Sequence, residues 1–292
     1  MFKVFQLLTM ATIGIALASG ASAEPTYTNV DVPGAIGTLL QGGPNPEGTN
    51  IGAYLDQTGP VHGFTLEKGV LTTIDPPGSA ETLPAWISPQ GTVVGQYYES
   101  NGFGHGFLLK GGTFTTLDFP GAYITWLGSL SPSGELVGGY CTDANSCANS
   151  LIHCAAWSPT GVLSSCEPPG ATASLGAGNP SGTIAGSYSD GPLGLGGNTH
   201  GYVLDHGKFT TIDYPGAIST DFGAINPAGT ITGAYTDTAG VVHAFVLRRG
   251  TFTSFDYPGA IATYGGGINP AGVVVGTWFD AALNQHGFIR TP

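Results

Sequence analysis

Polar and apolar side chains alternate in short runs over almost the whole chain beyond residue 25. The stretch 208–250, KFTTIDYPGAISTDFGAINPAGTITGAYTDTAGVVHAFVLRRG, shows the pattern most clearly. Residues 220–226 form a glycine-rich run that ends at Asn226-Pro227-Ala228-Gly229. Residues 230–236 then alternate β-branched or aromatic side chains with small ones, 242–247 form a third run, and 251–255 a fourth. Alternation at period two marks half-buried strands, and the Pro/Gly clusters between the runs mark turns. The stretch therefore predicts four antiparallel strands joined by tight connections.

The same pattern recurs every 43–49 residues. Its opening acid returns as Asp31, Asp75, Asp118, Glu167, Asp213 and Asp256, and its turn proline as Pro46, Pro89, Pro132, Pro180, Pro227 and Pro270. Repeats this short cannot each bury a core and must pack on one another; four strands in about 40–45 residues is the length of a β-propeller blade. The prediction is an all-β, six-bladed β-propeller over 24–292, with four antiparallel strands per blade. Its blades are 35–75, 79–118, 122–167, 171–213, 217–256, and 260–292 completed by 26–31. The sixth copy stops after its third strand, while residues 27–30 supply a fourth without the other three, so the N-terminal strand closes the last blade and removes exposed edges. Gly265-Gly266-Gly267, Gly223-Ala224 and Gly176-Ala177-Gly178 place the first strands at the crowded axis.

Composition narrows the function. With 49 glycines and 9% charged residues, a helical solenoid is excluded, because glycine in a helix interior costs about 1 kcal/mol relative to alanine. Seven basic residues against 19 acids argue against a nucleic-acid partner. Residues 1–23 read as a signal peptide, with Lys3 ahead of an apolar run and Ala21-Ser22-Ala23 as a small-residue cleavage site. A secreted or periplasmic monomer without a membrane span is expected. In an oxidising compartment the clustered Cys141, Cys147, Cys154 and Cys166 predict disulfides, Cys154 with Cys166 across a turn and Cys141 with Cys147, rather than a zinc site.

The motifs N-P-x-G-x-I-x-G-x-Y and H-x-F-x-L resemble the HAF-type extracellular repeats of bacteria over nearly all of 24–292. That resemblance implies secretion and a propeller-like fold, and it carries no settled activity.

Ionisable groups gather at two places that share one face of such a fold. The connections between blades carry Asp31, Asp75, Asp118, Glu167, Asp213 and Asp256. The loops between second and third strands carry Asp56, Glu99, Asp143, Asp190, Asp237 and Asp280, beside His62, His105, His200, His243 and His286. Twelve of the 19 acids would make that face electronegative. Three readings stand: a structural network in every blade, calcium held by carboxylates, or catalysis by one His/acid pair. No nucleophile elbow, H-E-x-x-H or P-loop is present. Departures from the repeat point to binding: Trp86, Trp126, Asp221 and Tyr264 near the axis, and two extended loops, 142–152 and 189–199. Aromatic faces with a carboxylate suit a glycan, although Trp86 could equally fill space. The expectation is a ligand- or partner-binding scaffold, the alternatives a hydrolase or lyase and a structural cell-surface or matrix protein.

Overall fold

A computed structural model describes residues 24–148, 151–191 and 198–292. The expected signal peptide lies outside them, as do parts of both extended loops. The described residues hold 24 strands and one short helix, Ala144–Ala148.

The strands pair antiparallel in six runs of four. The fifth run, Ser219–Ile225, Ile231–Thr236, Val242–Arg248 and Thr251–Phe255, follows the expected boundaries to within one residue. The sixth comprises Ala262–Ile268, Val274–Phe279 and Gln285–Thr291, and its outer strand is Thr26–Val30, with Thr26 opposite Thr291 and Val30 opposite Gly287. Single parallel pairs, such as Val61 with Glu81 and Val242 with Ala262, link the third strand of one run to the first of the next. The hydrogen-bonded sheets consequently extend to eight and twelve strands beside one of four.

The apolar core sits between runs. Ile51 of the first meets Val93 and Phe107 of the second, and Val94 of the second meets Leu127 and Leu136 of the third. Ala185 meets Phe222 and Phe245, and Ala244 meets Val274 and Phe288. Val275 of the sixth run packs on Val32, Leu40 and Phe64 of the first. Each run buries its faces only against its neighbours, as the short repeat requires.

Turn chemistry fixes the spacing. The Asn226 side chain accepts the N–H groups of Ala228 and Thr230, both at 3.0 Å, and Gly229 takes φ 75°, which glycine adopts without a Cβ penalty. The Asn226 amide then donates to the Asn269 carbonyl of the next run at 3.0 Å. Within the sheet, a Cβ on Gly233 would collide with the Asp221 carbonyl oxygen, and Gly138 and Gly276 stand in the same relation to Trp126 and Tyr264. These glycines let the second strand press against the first where it bulges, as between Phe222 and Ala224.

Both disulfides form, Cys141–Cys147 with Cα atoms 5.4 Å apart and Cys154–Cys166 with 5.1 Å. The helix was not expected within the 142–152 loop. Asp143 caps it, its side chain accepting the N–H groups of Asn145 at 2.9 Å and Ser146 at 2.8 Å.

Candidate functional site

One cavity of about 330 Å³ opens where the first strands converge. Its wall follows from register. The first-strand residue paired with the position after the second-strand glycine varies between runs: Leu39 with Ala53, Leu83 with Gln96, Trp126 with Gly139, Leu175 with Ser187, Asp221 with Ala234, and Tyr264 with Thr277. Leu39, Trp126, Leu175, Asp221 and Tyr264 line the cavity, together with Gln96, Ser187 and Thr277. A position that is structurally equivalent around the fold thus presents three aliphatic residues, two aromatics and one carboxylate.

Polar groups in the cavity differ in how well they are satisfied. Ser187 donates to Asp221 Oδ1 and accepts the Phe222 N–H at 2.8 Å. Protein surrounds the Asp221 carboxyl while leaving it open to the cavity, and this desolvation pushes its pKa above the usual aspartate range despite the Ser187 hydrogen bond. Trp126 Nε1 donates to the Tyr98 hydroxyl at 2.9 Å, which leaves the indole ring rather than its N–H for a ligand. Tyr264 is 40% exposed and meets Phe279 edge-on, ring centroids 6.0 Å apart. Gln41 Oε1 and Thr277 Oγ1, both on residues of the cavity wall, are buried without a hydrogen-bond partner. Buried polar atoms are rarely left so, and each marks a place where a hydrogen-bond partner is missing.

Trp86 does not join this group. It lines a second cavity, of about 150 Å³, with the prolines of the N-P-x-G turns, and it packs against Val94, Phe119 and Leu127 in the core between runs. Gln41, Ala85, Gly128, Ala177 and Gly223 border both cavities and form the neck between them. Gln41, Gln96, Ser187 and Thr277 were missed by sequence reasoning. Aligning the residue after each second-strand glycine would have exposed the last three.

The acidic face is a repeated network. His62, His105, His153, His200, His243 and His286 each place Nδ1 2.7–2.9 Å from the acid of the following connection: Asp75, Asp118, Glu167, Asp213, Asp256 and Asp31. Five of them place Nε2 3.3–3.7 Å from a loop acid, namely Asp56, Glu99, Asp190, Asp237 and Asp280. His153 was overlooked because its strand reads H-C-A-A-W and its acid is a glutamate one residue further along. The hydrogen bond to Asp75 raises the His62 pKa; at His200 and His243 burial opposes protonation, but the flanking carboxylates outweigh it. Among the described residues no three His, Cys, Asp or Glu side chains converge as a metal site.

No protein-family model matches the sequence, and no curated protein matches it. Solved structures do. The chain superposes on a mutant of AofleA from Arthrobotrys oligospora with a TM-score of 0.56 at 14% identity, covering 91% of this chain and 86% of that one. The fucose-specific lectin from Aleuria aurantia gives 0.53 at 10%, covering 87% and 93%. Virginiamycin B lyase from Staphylococcus aureus, catalytically inactive and with quinupristin, gives 0.50 at 11%, covering 92% and 100%. The fold is propeller-like. Identities this low carry the architecture alone.

Proposed function

We propose that the chain is an exported six-bladed β-propeller, its last blade completed by Thr26–Val30, that binds a saccharide at the axial cavity without transforming it. Each four-strand run is one blade in this reading, and the contact of Val275 with Leu40 and Phe64 closes the ring. The paired cysteines suit an oxidising compartment.

The observation that carries the reading is the composition of the cavity wall. The Asp221 carboxylate keeps acceptor capacity beyond its Ser187 hydrogen bond, and Gln41 Oε1 and Thr277 Oγ1 lack partners, while Trp126 and Tyr264 offer aromatic surface. A sugar supplies hydroxyl donors on its edges and apolar C–H faces for stacking, so it complements both sets. The His–acid pairs repeat from blade to blade and hold the third strand to the following connection, which accounts for them as scaffold.

The test is a broad glycan array probed with the wild-type protein and with Trp126→Ala. The expected result is selective wild-type binding that the substitution abolishes. An empty array, or binding that survives the substitution, would overturn the assignment.

A further inference from the structure

The chain contains three arginines, and all three meet in one place. Arg248, Arg249 and Arg290 line a cleft of about 380 Å³ between the fifth and sixth strand runs. The cleft lies beside Asn226, Ala228 and Pro270 of the N-P-x-G turns, at the opposite end of the strands from the acidic loops.

Arg290 breaks the repeat. The third strands of the other runs place Leu66, Leu109, Trp157, Leu204 and Leu247 at the corresponding point, counted from the histidine. Those residues pack against the core between runs, and Leu247 is 4% exposed. Arg290 occupies the apolar slot with its guanidinium 4.7 Å from the centroid of the Phe255 ring. Its Nε is buried and has no hydrogen-bond partner. Among the described residues no ion pair involves an arginine, and no Asp or Glu lines the cleft. The remaining wall is supplied by Thr230, Thr253, apolar groups and Pro292, whose carboxylate makes no ion pair with the arginines.

A guanidinium in a leucine's place without an ion-pair partner is unfavourable, and replacement by leucine would be the simple remedy if only the fold were at stake. Three such groups around one cleft, in a protein of net charge −12, concentrate positive potential where the rest of the surface has little. Guanidinium is also the group best matched to paired oxygens, through two parallel N–H donors. The cleft is larger than a bare oxyanion needs, which leaves room for an organic body against Phe255, Ile268 and Val246.

We infer that this cleft binds a small organic anion, its carboxylate or phosphate group held by Arg290 with Arg248 and Arg249 closing over it. The site is independent of the axial cavity. Succinate, galacturonate and glucose 6-phosphate, titrated calorimetrically at constant ionic strength, distinguish the sources of the oxyanion. At least one should bind saturably to the wild-type protein. Arg290→Leu, which restores the repeat's own residue, should weaken it roughly tenfold or more, the worth of a charge-assisted hydrogen bond. Should that variant fail to fold, the Arg248→Ser/Arg249→Ser double variant at the exposed turn serves instead, with the same expected loss. No saturable binding of any of the three probes, or wild-type affinity in the variant that folds, would overturn the inference.

Discussion

Ser187 and Asp221, 34 residues apart and on different strand runs, share a hydrogen bond inside the axial cavity. The Ser187 hydroxyl also accepts the Phe222 N–H, so one oxygen aligns both the Asp221 carboxyl and the strand that carries it. The arrangement holds a lone carboxylate ready at the cost of desolvating it.

That cost should be measurable. The protein packed around Asp221 raises its pKa although the residue stays exposed to the cavity, so the folded state binds its proton more tightly than the unfolded chain. Stability is therefore greatest below the ordinary aspartate value and is lost as pH rises through the raised one. Asp221→Asn should raise Tm at pH 7–8 by roughly 2–4 °C for each kcal/mol relieved, with less gain at pH 4, while saccharide affinity falls. A variant less stable than wild type at pH 8 would show that the carboxylate supports the fold.

The network of histidines and loop acids predicts both an alkaline and an acidic limit. His62, His200 and His243 have raised pKa values, so their contribution is complete below pH 6.5 and is lost as pH rises through the raised values. Hydrogen bonds hold several loop acids below 3.8: the Asn198 N–H acts on Asp190, the Val241 N–H on Asp237 and the Asn284 side chain on Asp280. Their contribution is present above 3.8 and is lost as pH falls through the lowered values. Thermal stability should peak between these limits, and His243→Gln should flatten the alkaline decline. Stability that climbs steadily from pH 6.5 to 9 would contradict the network's role.

Gly233→Ala tests how the cavity wall is positioned. The added methyl would meet the Asp221 carbonyl and the Phe245 ring, and overpacking of this kind costs about 1–3 kcal/mol. Chemical denaturation should show that loss, and an unchanged midpoint would mean the bulge at Phe222 tolerates a Cβ.

Architecture was legible because alternation and turn residues are local signals repeated six times, so errors in one copy are corrected by the others. The same averaging hid the site. Register decides which side chains face the axis, and register depends on strand bulges, such as that between Leu40 and Gly42, which spacing alone does not reveal. Trp126, Asp221 and Tyr264, which line the axial cavity, were singled out because they depart conspicuously from the repeat. Gln96, Ser187 and Thr277 were not, since small polar residues look ordinary on a strand. Trp86 departs just as conspicuously yet lines the second cavity beyond the neck and packs, partly buried, against the core. Arg290 passed unnoticed because it ends a copy whose fourth strand lies at the other end of the sequence, where Trp278 Nε1 donates to Asn29 Oδ1 across 249 positions.

Ring closure can be tested by removing residues 24–31. The deletion takes away the strand paired with Gln285–Thr291 and the Asp31 partner of His286. It uncovers Phe288, which packs beneath Tyr27. Tm should fall by several degrees and an exposed edge should promote association. An unchanged Tm would count against ring closure by this strand.

The central claim is that one axial cavity, rather than a set of equivalent sites between blades, takes the ligand. Calorimetric titration of the saccharide selected on the array tests it most directly. The account predicts a single site per chain, with heat abolished by Trp126→Ala and strongly reduced by Asp221→Asn. Several sites per chain, or full binding by Trp126→Ala, would contradict it.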